Sequence, residues 1–346
     1  MGEYDVPHNL QYNNTTVGGL SGIDYDAPKK VYYIISDDRS AINPARFYTA
    51  KIDIGNKGID SVYFVDVAQL RQENGEVYPN SKKDPAHTPD PEAIRYNPLT
   101  KDLVWSSEGE RIVNANGNNV LEDPAITIID EKGMYKDSFP LPQQLHMHAT
   151  ENGPRQNSVF EGLTFADDYK TLYVSVEEPL YDDGPPAGLS DVATWIRILK
   201  YDATTKKLLA QYAYHPDPVP YAPIPATGLM MNGIPDILAL DHSHLLVMER
   251  SYSSGRFQCT IKIYLADISK ASDIAHVQSL KQQPPSNIIT KKLLINLAST
   301  GRFIDNMEGM TFGPTLPNGH KTLVLVADNN FSRLERNQFF LFEVVP

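Results

Sequence analysis

Three glutamates lie in segments that recur about every 70 residues along the chain, each glutamate followed by a small residue and then an apolar one. They are Glu92, Glu161 and Glu308, and Ser21 and Pro235 hold the same place in two similar segments. The first residues of the five segments lie 71, 69, 74 and 73 residues apart. If the fold brings equivalent positions together, these carboxylates repel one another, and their pKa values rise unless a cation lies among them.

A hard divalent cation with oxygen ligands meets that requirement, and calcium tolerates irregular sets of many oxygen ligands. No histidine or cysteine occupies the repeated position, which argues against zinc. We therefore predict a calcium site formed by Ser21, Glu92, Glu161 and Glu308. Pro235 offers no side-chain ligand, so its carbonyl group, Asp236 or water would complete the shell. The alternative interpretation is that the glutamates cap strand ends or bind exposed amides.

A second set of acids follows the apolar run that comes after each repeated segment. Its members are Asp37, Glu108, Glu177, Glu249 and Asp328. Arginines lie near several of them in sequence, and carboxylates, a metal ion and guanidinium groups can together hold a phosphate. We predict catalytic roles for five residues: Glu177, Glu249, Arg250, Arg39 and Arg111. Ion pairing between neighbouring repeats is the alternative interpretation for each acid and arginine.

The elements that position these residues are short strands. Runs of β-branched and aromatic residues bounded by Gly, Pro, Asn and Asp occur throughout, and 26 prolines interrupt any long helix. Nearly continuous apolar runs predict strands buried on both faces at 31–35, 103–105, 172–174, 245–248 and 323–326. Each run follows one repeated segment and returns the chain to an acid of the second set. Further strands are predicted at 46–54, 61–67, 196–201, 208–214, 260–266, 292–297 and 338–344.

A repeat of about 70 residues with four strands is typical of a β-propeller, in which the first strand of every blade lines the axis. We predict an all-β fold, a single β-propeller domain over residues 1–346 with five four-stranded blades. The last repeat is one strand short, and we expect the stretch before Gly18 to supply that strand and close the ring. Six blades are the alternative if residues 70–88 or 215–232 contain further strands, and an open sandwich is the alternative fold.

Long proline-rich loops separate the predicted blades. They lie at residues 79–91, 140–154, 181–189 and 215–225. Loops of this length on a rigid scaffold usually shape a binding face, and solvated decoration is the alternative.

The composition limits the classes of partner. Of the 346 residues 41% are hydrophobic and 21% charged, which is enough for a sizeable core and too little charge for a disordered chain. The net charge of -12 favours cations and repels nucleic acid and anionic membrane surfaces. The single cysteine, Cys259, excludes an intramolecular disulfide. No run approaches the roughly 20 apolar residues of a membrane span.

Several segments are together similar to the phytase-like esterase family. Any one motif is loose, but their order and spacing are specific, and they run from about residue 18 to the C-terminus. They are residues 19–24 (GLSGID), 153–157 (GPRQN), 160–163 (FEGL), 306–314 (NMEGMTFGP), 322–331 (TLVLVADNNF) and 338–343 (QFFLFE). The chain departs from the family pattern at Pro235, where the family commonly has a serine.

The resemblance implies a β-propeller of bacterial origin, export to the periplasm or cell exterior, and phosphoesterase activity that uses calcium to bind phosphate. The repeated positions also resemble the axial calcium ring of five-bladed, apyrase-like nucleotidases. Met1 and Gly2 begin no signal peptide, so we expect an export signal to be missing from this sequence, with a cytoplasmic location as the alternative. The predicted function is hydrolysis of a phosphorylated small molecule. The alternative is a non-catalytic propeller that binds a ligand or partner and holds a structural calcium ion.

Overall fold

The computed structural model describes residues 2–55 and 57–345, and most of their regular structure is β-strand. The helical elements of these residues are three short 3₁₀ turns, Pro85–His87, Gln143–Leu145 and Leu297–Thr300. None of the described helices has the length and apolar character needed to cross a membrane. The strands form five four-stranded antiparallel sheets and two small hairpins. The fold is a five-bladed β-propeller, as the sequence predicts.

The first two blades follow a short N-terminal stretch of strands. The N-terminal residues form β1 (Gly2–Val6) and a hairpin of β2 (Gln11–Tyr12) and β3 (Thr15–Thr16). The first blade contains β4 (Leu20–Asp26), β5 (Val31–Ser36), β6 (Arg46–Gly55) and β7 (Gly58–Gln69). The second blade starts with β8 (Pro91–Asn97) and β9 (Asp102–Ser107) and, after a hairpin of β10 (Glu110–Ile112) and β11 (Val120–Glu122), continues with β12 (Ala125–Asp130) and β13 (Tyr135–Ser138).

The remaining three blades are more regular. The third contains β14 (Phe160–Ala166), β15 (Thr171–Val176), β16 (Ile196–Asp202) and β17 (Leu208–Tyr214). The fourth contains β18 (Met230–Ala239), β19 (His244–Ser253), β20 (Thr260–Asp267) and β21 (Thr290–Asn296). The fifth contains β22 (Met307–Phe312), β23 (Lys321–Ala327) and β24 (Asn337–Val344), together with β1.

The N-terminal strand completes the fifth blade. β1 pairs antiparallel with β24, so that Gly2 lies opposite Leu341. This confirms the predicted source of the missing strand. The alternative of six blades is wrong, because the described residues between 70 and 88 contain only one isolated bridge and a 3₁₀ turn. Residues 215–232 add only the first part of β18.

Contacts divide the chain into two compact units. Unit 1 comprises Met1–Ser106, Thr127–Asp137 and Asp305–Pro346, and unit 2 comprises Ser107–Ile126 and Ser138–Ile304. The core of unit 1 consists of aromatic and branched side chains from the strands of its blades, including Ile23, Tyr48, Trp105 and Phe339. In unit 2, side chains between β20 and β21 cover the third blade by packing on Ala213. The single domain over residues 1–346 stays a prediction.

A β-bulge interrupts the pairing of the first two strands at the repeated position. The register shifts at this place in four blades: Leu20/Ile23, Phe160/Leu163, Gly233/Asp236 and Met307/Gly309. A bulge leaves residues out of the hydrogen-bond ladder and re-aims their side chains. Pro235 lies within the bulge of β18, where its missing N–H removes no ladder bond. The proline therefore fits this strand without breaking it.

Glycines beside the repeated position let neighbouring first strands of unit 1 approach closely. A Cβ atom on Gly309 would lie 2.4 Å from the carbonyl oxygen of Ser21. A Cβ atom on Gly22 would lie 2.7 Å from the Cα atom of Ala93. β4 consequently packs between β22 and β8. This packing places the side chains of three blades at one site.

Candidate metal and phosphate site

Three carboxylates of unit 1 converge where β5 ends and β8 begins. Asp37 follows β5, Asp90 precedes β8, and Glu92 is the second residue of β8. One carboxylate oxygen of each residue lies within 4.8 Å of those of the other two. Asp90 and Glu92 are buried, and Asp37 is half-buried. All three offer hard oxygen donors, which are the ligands that calcium prefers.

Two of the predicted metal ligands, Ser21 and Glu308, lie in the same unit as this group. The hydroxyl group of Ser21 donates a hydrogen bond of 2.9 Å to Oε2 of Glu92. The side-chain amide of Asn306 donates a bond of 2.8 Å to Oε1 of Glu308, and both side chains are buried. The structure therefore joins Ser21 to Glu92 directly and fixes Glu308 through Asn306.

The Asp37 carboxyl group is surrounded by like charge. Burial raises its pKa well above the ordinary value, and the charges of Asp90 and Asp328 raise that pKa further. A hydrogen bond with Asp90 and the charge of Glu308 act in the same direction. A divalent cation among these groups would oppose the repulsion and lower their pKa values. The site thus has the electrostatic character of a cation site.

Asp328 is held in a tight turn after β23. Its Oδ1 atom accepts a hydrogen bond of 2.7 Å from the backbone amide of Asn330, and the carboxylate is buried. The side chain of Asn329 accepts bonds from the backbone amides of Gly19 and Phe331. Asn330 and Phe331 have φ values of 46° and 52°, a left-handed conformation that side chains other than glycine rarely adopt. These contacts hold the turn of the fifth blade against the first.

Arg39 is the predicted phosphate-binding residue that lies beside the three carboxylates. Its Nε atom is 3.6 Å from Oδ2 of Asp90, and 22% of its side chain is exposed. The preceding residue, Asp38, accepts hydrogen bonds from the backbone amides of Ala41 and Asn43 and pairs with buried Arg46 at 2.7 Å. Asp38 therefore braces the loop that carries Arg39.

Glu161 and Glu108 belong to unit 2. Glu161 lies in the bulge of β14 and is 5% exposed. Glu108 is fully buried and accepts a hydrogen bond from the backbone amide of Val159. A Cβ atom on Gly162 would lie 2.8 Å from Cα of Asp236, so the first strands of the third and fourth blades also approach closely. Metal binding by Glu161 stays a prediction.

Strand register shows which residues of the second set are equivalent. In four blades the apolar third residue of the repeated segment pairs with a residue of the second strand. In three of them an acid lies three residues after that paired residue. These acids are Asp37, Glu177 and Asp328. In the fourth blade Val247 pairs with Ile237, so the equivalent residue is Arg250. Glu249, the acid of the second set in this blade, lies one residue before that position, and its catalytic role stays a prediction.

Arg250 and Glu177 form an ion pair within unit 2. Nη2 of Arg250 lies 2.7 Å from Oε1 of Glu177, and the side chains are 11% and 1% exposed. Burial raises the pKa of Glu177, whereas the charge of Arg250 lowers it. The two charges neutralise each other, as the alternative interpretation of the sequence expects. Catalytic roles for these two residues stay predictions.

Glu249 belongs to a separate buried network. Tyr214 and Asn232 each donate a hydrogen bond of 2.7 Å to its carboxylate, and Lys291 pairs with it. Adjacent strand residues point to opposite faces of a sheet, which is why Glu249 has different neighbours from Arg250. With 1% exposure and these three partners, Glu249 is suited to bracing the fourth blade.

The guanidinium group of Arg111 is bound to a loop. Its Nε and Nη2 atoms donate to the carbonyl oxygens of His148 and Thr150, at 2.9 and 3.2 Å. Its carbon lies 5.0 Å from the ring centre of Tyr181, and the guanidinium of Arg155 lies 4.2 Å from the same ring. A phosphate would have to displace these bonds. These bonds brace the loop, and a catalytic role for Arg111 stays a prediction.

A family model described as "Phytase-like: Esterase-like activity of phytase" matches residues 15–331. The chain belongs to this phytase-like family. The match covers the residues of unit 1 that carry the three converging carboxylates, and it includes β22 and β23 of the fifth blade. It confirms the family resemblance that the sequence motifs indicate.

Relatives of this phytase-like chain differ in how much they share with it. An uncharacterized secreted protein of Arthroderma benhamiae is 34% identical over 138 residues, 37% of this chain and 26% of that protein. A thermostable family-43 glycoside hydrolase has a TM-score of 0.52 at 10% identity, over 97% of this chain and 93% of its own. A gluconolactonase of Xanthomonas campestris has a TM-score of 0.39 at 11% identity, over 94% and 72%. At 10% identity the glycoside hydrolase shows a similarity of fold alone.

Sequence reasoning missed Asp90 and Asn306 in this phytase-like chain. Asp90 lies two residues before Glu92 and directly ahead of β8, and residues two apart in extended backbone project to the same side. That alternation was a usable signal, but Asp90 ends a proline-rich loop and stands outside the repeated segment. Asn306 likewise lies two residues before Glu308. The second and fifth blades therefore share an acid or amide two residues before the repeated glutamate.

Proposed function

We propose that this phytase-like propeller is a calcium-dependent hydrolase of phosphorylated small molecules. The observation that carries the proposal is the convergence of Asp37, Asp90 and Glu92, with one oxygen of each within 4.8 Å of the others. Membership of the phytase-like family supports ester hydrolysis as the class of reaction. The cluster lies beside Arg39, a cation suited to phosphate.

The donor set fits calcium better than a transition metal. Asp37, Asp90 and Glu92 would hold the ion through carboxylate oxygens, whereas zinc prefers nitrogen and sulfur donors. Asp328 and Glu308 add negative charge, which favours retention of a divalent cation. Bound calcium supplies Lewis-acid chemistry, because it withdraws charge from a phosphoryl oxygen and lowers the pKa of water.

The protein's own side chains supply orientation and charge. The Ser21 hydroxyl holds one oxygen of Glu92, so the carboxylate keeps a fixed direction. Asn306 does the same for Glu308. The partly exposed Arg39 guanidinium would bind two phosphate oxygens at once, in the fork geometry that arginine offers. A substrate phosphate would then be held by the Arg39 guanidinium and by the calcium ion that the carboxylates would bind.

Hydrolysis of a substrate panel tests the proposal. Phosphomonoesters, phytate and nucleotides are incubated with the purified protein in calcium and in EDTA, and released phosphate is measured. We expect calcium-dependent release that Glu92→Gln lowers by about 100-fold or more, since changes even beyond the metal ligands cost 10- to 100-fold. Glu73→Gln, at an exposed glutamate, is the matched control and keeps full activity.

Two results separate catalysis from metal binding. If calcium raises the melting temperature of the wild type but not of Glu92→Gln, and no phosphate is released from any substrate, the site holds a structural ion and the hydrolase proposal fails. If calcium changes neither melting temperature nor hydrolysis, the metal site itself is refuted.

A further inference from the structure

The hairpin of the fourth blade is longer than that of the third blade in the same unit. β18 and β19 have ten residues each, whereas β14 and β15 have seven and six. Four residue pairs, from Gly233–Arg250 to Met230–Ser253, extend the hairpin beyond the bulge. Residues 221–229 and 252–257 continue from this extension, and we call them the apolar tip.

Hydrogen bonds hold the apolar tip in one shape. The backbone amide of Ile224 donates to the carbonyl of Ser254, and the amide of Ser254 donates to Leu229, each at 2.8 Å. Gly255 has a φ of +75°, and a Cβ atom there would lie 2.4 Å from the carbonyl oxygen of Ile224. Only glycine fits this turn without strain. The two segments are therefore a built structure and not loose loops.

Large apolar side chains project from this ordered tip. Phe257 is 97% exposed, Leu229 64%, Ile224 59% and Tyr221 55%. Holding such residues in water is unfavourable, and a cluster of them usually marks an interaction surface. A side chain that is almost fully exposed protrudes, so a flat rigid partner covers it poorly. A deformable apolar phase can surround it.

The charge of the apolar tip differs from that of the rest of the chain. Residues 218–235 contain no charged side chain, although the protein carries a net charge of -12. The one cation of the tip, Arg256, donates to the carbonyl oxygen of Ala222 at 2.9 Å and stacks on the ring of Tyr221. An uncharged partner therefore matches the tip, while the acidic remainder of the protein disfavours an anionic one.

We propose that the apolar tip inserts into the surface of a zwitterionic lipid layer. Phe257, Leu229 and Ile224 would enter the acyl region. Tyr221, with an apolar ring and a polar hydroxyl group, suits the headgroup level. The tip anchors the protein peripherally and needs no membrane-spanning segment.

Vesicle binding tests this inference. The full chain is sedimented with phosphatidylcholine vesicles and with vesicles that also contain phosphatidylglycerol, and the bound fraction is measured. We expect binding to phosphatidylcholine that weakens as anionic lipid is added. The double variant Leu229→Ser/Phe257→Ser loses about 100-fold or more in partitioning, because each buried aromatic or leucine side chain contributes about tenfold or more.

A matched control separates the tip from general stickiness. Leu334 is 92% exposed in another loop, and Leu334→Ser keeps wild-type binding. Unchanged melting temperatures show that the variants fold. A Phe257→Trp variant adds a direct readout, because its fluorescence shifts to the blue when the ring leaves water.

Three outcomes overturn the proposal. The wild type fails to bind phosphatidylcholine, the Leu334→Ser and double variants bind alike, or light scattering finds a dimer that the double variant dissociates. The last result would identify a second copy of the chain as the occupant of the tip.

Discussion

Arg250 changes the charge balance at a position that other blades fill with acids. In unit 2 it pairs with Glu177 at 2.7 Å, so that this part of the repeat is neutral. In unit 1 the equivalent residues Asp37 and Asp328 are both acidic, and Asp90 adds to them. An arginine at this position gives an ion pair in unit 2, whereas acids at the equivalent positions give a candidate cation site in unit 1.

Glu178 provides a pH-dependent test at the residue scale. Burial and the charge of Glu177 raise its pKa to about 7, against the opposing effects of Ser158 and two arginines. Because the native pKa lies above the unfolded one, its stabilising effect is complete below about pH 4.5 and is lost as pH rises through about 7. We expect Glu178→Gln to abolish that loss, worth at most about 3 kcal/mol, in urea unfolding across this range.

The control for this test is Glu73→Gln, whose carboxylate is exposed. It should keep the wild-type slope of unfolding free energy against pH. A wild-type slope in Glu178→Gln, or stability that rises between about pH 4.5 and 7 because of this residue, would contradict the assignment.

A buried ion pair ties the segment between β20 and β21 to the third blade. Arg197 binds both carboxylate oxygens of Asp183, at 2.6 and 2.9 Å, and both side chains are fully buried. Arg197 also donates to the carbonyl oxygen of Val277, and Asp183 accepts from the amide of Leu280. The segment covers the outer strand β17, whose edge would otherwise be exposed.

Removal of one partner should release that segment. We expect Arg197→Ala to cost about 3–5 kcal/mol in urea unfolding, because it leaves the Asp183 carboxylate buried without its cation. Limited proteolysis should then cut within residues 268–289. Arg333→Ala, at an exposed arginine, is the control. Equal stability and equal cleavage of the two variants would show that the pair does not hold the segment.

Strand positions followed closely from the sequence, and the bulges did not. β17 matches its predicted bounds, and four strands differ from theirs by one residue at one end: β6, β16, β20 and β24. Period-two apolar runs carry that information. A bulge depends on how two strands pair, which no single strand reveals. Strand pairing likewise assigns the equivalent position of the fourth blade to Arg250, whereas the sequence analysis placed Glu249, the neighbouring acid, in the second set.

At the scale of the whole molecule, the repeat predicted the architecture better than the site. A spacing of about 70 residues and a missing last strand led to five blades and to β1 as the closing strand, both of which the structure confirms. Of the predicted metal ligands, Ser21, Glu92 and Glu308 lie in unit 1, where Ser21 contacts Glu92. Asp90 was not predicted, because it comes from a loop and loops carry no repeat.

The acidic character of the chain agrees with a role for cations. A net charge of -12 attracts divalent cations toward the protein. Four acidic side chains of unit 1 are buried, each less than a tenth exposed: Asp90, Glu92, Glu308 and Asp328. Buried like charges are stable together only when something compensates them.

Anomalous diffraction from crystals grown in calcium tests the central claim most directly. We predict a calcium peak bounded by Asp37, Asp90 and Glu92, at about 2.3–2.6 Å from an oxygen of each. The peak should vanish in Glu92→Gln crystals and persist in Glu73→Gln crystals. Calcium-saturated crystals that show no peak among these three carboxylates would contradict the account.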